Sequence, residues 1–106
     1  MPLNYTQQEL GIDTLKATRG PFVLAFGTNW CGHCQAAASE VDAALADYPQ
    51  TRHLQMEDGK GRPLGRAFGV KLWPTLIFLR NGVEIDRLVR PTASSAIVEC
   101  LKKIQA

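Results

Sequence analysis

Two cysteines three positions apart, Cys31 and Cys34, are the residues best placed to do chemistry. They lie in Asn29-Trp30-Cys31-Gly32-His33-Cys34-Gln35, after an apolar run and before an alanine-rich segment of helical character. On the first turn of a helix, two thiols at this spacing can close into a small disulfide ring or stay apart as a dithiol, which makes a two-electron switch. A sulfur at a helix N-terminus faces unpaired backbone N–H groups and the positive end of the helix dipole, and both favour the reactive thiolate. Cys31 is therefore the expected nucleophile, with His33 adding a nearby donor. Cys34, one turn further in and more enclosed, is suited to resolving a mixed disulfide.

Other uses of the pair need partners that the sequence supplies poorly. A metal site would need His33, His53 and Cys100 to complete the ligands, so no metal is expected. Haem attachment needs a histidine after the second cysteine, where Gln35 stands. The third cysteine, Cys100, falls between Ile97 and Ile104 and reads as a small buried hydrophobe. A close pair with one distant bystander suits a reducing compartment better than a disulfide framework, and the expected location is cytoplasmic.

The elements that must position the pair follow from patterning. Thr6-Gln7-Gln8-Glu9 has capping-box form and predicts a first helix from about Gln7 to Ala17, weakened by Gly11. Phe22-Val23-Leu24-Ala25-Phe26 is a continuous apolar run, as expected of a central strand covered on both faces. The cysteines then sit at the carboxyl end of that strand, where open α/β sheets place their sites. A second helix is expected from Cys31 or Gly32 to about Tyr48, with Ala37, Val41, Ala44, Leu45 and Tyr48 as its apolar stripe. Arg52 to Met56 reads as a strand, Pro63 to Phe68 as a short helix, and Thr75 to Leu79 as a strand. Asn81-Gly82 is a hairpin turn leading into a return strand, Val83 to Val89. A last helix spans about Ser95 to Gln105, burying Ile97, Leu101 and Ile104. The order α-β-α-β-α-β-β-α predicts a mixed sheet with helices on both faces.

With these elements in place, the chain resembles the thioredoxin family. The resemblance rests on the apolar strand feeding Trp30-Cys31-Gly32-His33-Cys34, on Phe68-Gly69-Val70, on Trp73-Pro74-Thr75 opening the next strand, and on Asn81-Gly82. It covers the chain from about Gly20 to its end. It implies an α/β, thioredoxin-like fold whose first edge strand is short or absent, since only Met1 to Tyr5 is available for it. It implies a protein-disulfide reductase or oxidoreductase: Cys31 attacks a substrate disulfide, Cys34 resolves, and no cofactor is needed beyond the Cys31–Cys34 pair. The Trp73–Pro74 bond should be cis, with the Trp73 backbone pairing with a substrate strand. Trp30, Trp73, Pro74 and Arg90 become the substrate-binding residues. Substrates would be protein or small-molecule disulfides, and electrons would come from a dithiol or a reductase.

Departures from the family pattern carry information too. His33 stands where thioredoxins usually have proline and looks like the centre of protein disulfide isomerase, which predicts a more oxidising pair. Ala25 replaces an acidic residue associated with deprotonating the resolving thiol, and His53 falls near that residue's usual lysine partner. Gly27 replaces a common tryptophan and is expected to open space near the site. Arg90 replaces a glycine of the substrate groove. These changes keep a second reading in view: a specialised client-binding protein of low general turnover.

The totals agree with one domain over residues 1–106. The chain has 106 residues, 45% hydrophobic and 21% charged, with a net charge of +2. Its basic residues are scattered, so no nucleic-acid partner is expected. The opening residues lack the basic and apolar regions of a secretory signal, and no apolar run spans a bilayer, so no membrane partner is expected. The working unit is expected to be a monomer.

Overall fold

A computed structural model describes residues 5–6 and 11–105. The elements are α1 (Ile12–Ala17), β1 (Pro21–Gly27), α2 (Gly32–Leu45), β2 (Arg52–Glu57), α3 (Pro63–Ala67), β3 (Thr75–Arg80), β4 (Val83–Val89) and α4 (Ser94–Ile104). The sheet runs β2-β1-β3-β4. β1 pairs parallel with β2 and antiparallel with β3, and β4 returns antiparallel along β3.

The apolar run of β1 sits at the centre because successive side chains point to opposite faces and both faces are covered. Val23 and Ala25 join Val41, Ala44, Ile97, Leu101 and Ile104 from α2 and α4 in one cluster, which also holds Cys31 and Cys34. Phe22, Leu24 and Phe26 meet Leu15 of α1, Leu64 of α3 and Met56 on the other face. The mixed sheet with helices on both faces is therefore present as expected. Asn81 and Gly82 take φ values of 51° and 79°, the left-handed pair of a two-residue hairpin. The hairpin tip is tied to the segment entering β1: Gly20 N–H donates to Asn81 Oδ1 (2.9 Å), and Asn81 N–H to Gly20 O (3.2 Å).

Two element boundaries differ from expectation. The first helix begins at Ile12, because Gly11 before it is extended, with ψ 152°. Thr6 does not cap it. Its hydroxyl donates instead to Gln55 O at 3.4 Å, and its backbone forms an isolated parallel bridge with Met56. That bridge is all of the expected edge strand among the described residues. The remainder, and positions 7–10 of the expected first helix, lie outside them. The second helix ends at Leu45, where Tyr48 N–H turns back to Leu45 O at 2.9 Å.

β2 lies under that bridge, and one of its residues makes stability pH-dependent. Burial pushes the His53 imidazole down to about 4, from an ordinary value of about 6.5. The unfolded chain takes up this proton below pH 6.5, but the folded protein does so only near pH 4. Stability from this group is therefore complete above pH 6.5 and lost as pH falls to 4, by up to about 3 kcal/mol. Denaturant melts across that window should show the loss in the wild type and a smaller one in His53→Leu. Equal losses in the two proteins would remove His53 as the cause.

Candidate active site

β1 delivers the chain to the site through Gly27-Thr28-Asn29, and α2 starts immediately after Cys31. Cys31 is the N-cap of α2, extended at φ −81° and ψ 122°. Its Sγ accepts the Cys34 N–H at 3.3 Å, so the sulfur takes the place of an oxygen cap. The helix continues from there, with Gln35 N–H donating to Cys31 O at 3.0 Å. All three cysteines are free thiols. Cys31 keeps 9% of its surface exposed and Cys34 only 1%, so the first is the less enclosed of the two.

Burial pushes the Cys34 thiol up to about 12, with the hydrogen bond to Cys31 acting in the same direction. A Thr28 backbone hydrogen bond and one from the Tyr5 side chain oppose the rise. Cys34 is thus the sulfur held as thiol. Cys100 is enclosed at the back of α4, its Sγ 3.4 Å from Asp86 Oδ2. Burial and that carboxylate push it up to about 11, which makes it a poor nucleophile.

The aromatic residues divide their roles. Trp30 is 72% exposed, while Trp73 is half-buried against the cluster holding the cysteines. Their rings meet edge-to-face at 5.6 Å and 77°. Trp73 is pinned by its indole N–H, which donates to Asp58 Oδ2 at 2.9 Å. Trp30, rather than Trp73, is therefore the exposed apolar surface beside the pair. The Trp73–Pro74 bond is cis, as expected, and Pro74 is buried. Arg90 comes to the same turn from the end of β4, at φ 51°. Its N–H donates to Pro74 O (2.8 Å) and its Nε to Trp73 O (2.9 Å). The Trp73 carbonyl expected to meet a substrate strand is thus already engaged, although a carbonyl can accept a second bond. His33 and Arg90 line one groove, together with Ala36, Glu40, Pro91 and Thr92.

Two sequence expectations need revision around Cys34, and one residue has to be added. The space at Gly27 is not open. A Cβ there would overlap Cys34 Sγ and lie 3.0 Å from Tyr5 Cζ, so glycine is what lets the sulfur and the phenol ring approach β1. The neighbour of Ala25 on β2 is buried Gln55, and His53 lies two pairs further back, opposite Val23. Tyr5, which sequence reasoning passed over, belongs to the site. It is 6% exposed within the cysteine cluster and is held at its backbone by Asn29. Tyr5 N–H donates to Asn29 Oδ1 (2.7 Å), and Asn29 Nδ2 donates to Tyr5 O (3.1 Å). No local signal could have found it, because the contact depends on the Thr6 bridge laying residue 5 across the sheet end.

The thioredoxin family model matches residues 4–103. The chain belongs to the thioredoxin family. A thioredoxin of Chlamydia muridarum is 31% identical over 87 residues, covering 81% of this chain and 84% of that protein. The structure of thioredoxin 2 from Pseudomonas aeruginosa PAO1 in its reduced form superimposes with a TM-score of 0.87 at 46% identity, covering 98% of this chain and 96% of that one. Human protein disulfide-isomerase A2 is 37% identical over 87 residues, which are 76% of this chain but only 17% of that protein. With the Cys31–Cys34 pair at its centre, this thioredoxin-family protein is a thiol–disulfide oxidoreductase. Membership implies protein disulfides as substrates and a reductase as donor, and thioredoxins use no cofactor beyond their cysteines. Among the described residues, no group of three or more His, Cys, Asp or Glu side chains is placed to hold a metal ion. Among the described residues, no helix is long and apolar enough to cross a membrane.

Proposed function

We propose that Cys31 is the attacking sulfur and Cys34 the resolving one, in a general disulfide reductase whose pair is more oxidising than that of thioredoxin. The observation that carries this is the Cys34 N–H aimed at Cys31 Sγ at the start of α2, on the more exposed sulfur of the two. That donor and the helix dipole stabilise negative charge on the sulfur. Cys31 thiolate attacks one sulfur of the substrate disulfide, and the other leaves with the electron pair and takes a proton. Cys34 then loses its proton and attacks Cys31 Sγ, which closes the Cys31–Cys34 bond and releases the second substrate sulfur as thiolate. The pair loses two electrons and the substrate gains them, and a dithiol or reductase restores the pair.

His33 is proposed to add positive charge near Cys31 when protonated. That favours the reduced form and raises the potential, in keeping with the similarity to protein disulfide isomerase. Trp30 and Trp73 form the apolar surface a client would cover, with Pro74 setting the turn and Arg90 at the groove edge. The protein is proposed to work as a monomer in the cytoplasm. Its odd count of three cysteines supports a reducing location.

Arg90 Nε on the Trp73 carbonyl favours a second reading, a client-selective protein with low general turnover. Two measurements on the same protein decide. A turnover assay on a generic protein disulfide should show many cycles per molecule, whereas stoichiometric trapping with little turnover supports the second reading. A glutathione titration should place the pair above the roughly −270 mV of thioredoxin, and a value at or below it removes the role given to His33.

A further inference from the structure

The resolving step asks a sulfur held as thiol near pKa 12 to act as a thiolate, and the family's carboxylate is replaced by Ala25. Ala25 is flanked in register by Gln55 and Leu76, neither of which is charged. Among the described residues, the titratable groups acting on Cys34 are Cys31 and Tyr5. Tyr5 reaches Cys34 by an uncommon route. Its backbone is clamped to Asn29 by the two hydrogen bonds described above, and Thr6 next to it is paired with β2 through Thr6 N–H to Gln55 O (3.1 Å) and Glu57 N–H to Thr6 O (2.8 Å). The phenol end of the ring lies over Gly27, where a missing Cβ leaves room for Tyr5 Cζ, Tyr5 Cε1 and Cys34 Sγ together. The phenol end therefore lies beside Cys34 Sγ, where its hydroxyl favours the Cys34 anion.

We propose that the Tyr5 hydroxyl is a catalytic hydrogen-bond donor to Cys34 Sγ, stabilising that sulfur as a thiolate when it attacks Cys31 and when it leaves it. The inference rests on the exchange cycle above. In the forward step the Cys34 proton goes to solvent and the Tyr5 O–H points at the sulfur it leaves charged. The Cys31–Cys34 bond forms, the Cys31–substrate bond breaks, and the electron pair departs on the substrate sulfur, which is protonated from solvent. In reverse, Cys34 is the leaving thiolate and receives the same O–H. Tyr5 acts as donor and not as base, because burial, with Cys34 and Cys31 beside it, pushes the phenol far above its ordinary range and keeps its proton on oxygen. Of the two contacts that favour the Cys34 anion, the Thr28 backbone and the Tyr5 hydroxyl, only the second is a side chain.

A small aromatic disulfide mixed with the reduced protein gives two timed releases of chromophore, the first from attack by Cys31 and the second from resolution by Cys34. In Tyr5→Phe the first phase should stay within about twofold of wild type. The second should slow by about tenfold or more, the weight of a hydrogen bond to a charged group, and its pH profile should move to higher pH. Placing 3,5-difluorotyrosine at position 5, which keeps the shape and strengthens the donor, should move the profile to lower pH. A second phase that superimposes on wild type in both variants overturns the inference while leaving the exchange cycle intact. Equal slowing of both phases marks a structural role and overturns it as well. A wild-type protein with no first phase sinks the cycle itself.

Discussion

Cys31→Ser is expected to abolish disulfide exchange, by at least about a thousandfold, because a serine hydroxyl does not attack sulfur at neutral pH as a thiolate does. The loss should come without unfolding. A hydroxyl can still accept the Cys34 N–H at the N-cap position, where serine is a preferred residue. Cys34→Ser should behave oppositely. Cys31 still attacks, but nothing releases the product, so the mixed disulfide accumulates and can be recovered by mass spectrometry from incubation with a protein disulfide. The two variants together separate attack from resolution. Cys100 offers no bypass, being enclosed against Asp86 on the far part of α4. Exchange that survives in Cys31→Ser, or adducts found on Cys34 or Cys100 in place of Cys31, would reverse the assignment of the two sulfurs.

Gly27→Ala is expected to damage both stability and turnover, although it adds a single methyl group. That methyl would overlap Cys34 Sγ and press on Tyr5 Cζ and Cε1 at 3.0 and 3.2 Å. Neither neighbour yields easily. Cys34 is fixed in the first turn of α2 with 1% exposure, and Tyr5 is clamped to Asn29. Overpacking of this kind typically costs about 1–3 kcal/mol. In a domain of this size each kcal/mol lowers Tm by about 4–8 °C. The displaced Cys34 should also resolve mixed disulfides more slowly, while alkylation of Cys31 is little changed. A variant with wild-type Tm and wild-type turnover would show that the cradle at Gly27 has slack the geometry denies.

The order of elements and the location of the pair were legible because local rules dominate there. The uninterrupted apolar run of β1, the Asn81-Gly82 turn and the position of Cys31 ahead of an alanine-rich helix each carry their own physical reason within a few residues. The spacing of Cys31 and Cys34 also placed one sulfur at the helix end and the other a turn inside it. Where local signals competed with long-range pairing, the reading failed. Thr6-Gln7-Gln8-Glu9 has the form of a helix cap, yet Thr6 is drawn into a bridge with Met56, because an open sheet edge satisfies its backbone N–H and C=O directly.

The surroundings of the resolving sulfur belong wholly to the tertiary structure. Residue 5 is distant in sequence from residues 27 and 34, and their meeting depends on how Tyr5 and Thr6 cross the end of the sheet. A glycine read by itself suggests empty space, but packing density leaves none, so its missing Cβ is filled by a sulfur and a phenol. Likewise the choice between His53 and Gln55 as the neighbour of Ala25 is a matter of strand register, a shift of two residues that alters neither strand's composition nor the face its side chains take. Spacing and helix start are local, so the order of residues was enough to single out the sulfur pair. Only the folded chain decided what stands behind them, since hydrogen bonds and contacts between distant segments exist only once those segments are packed.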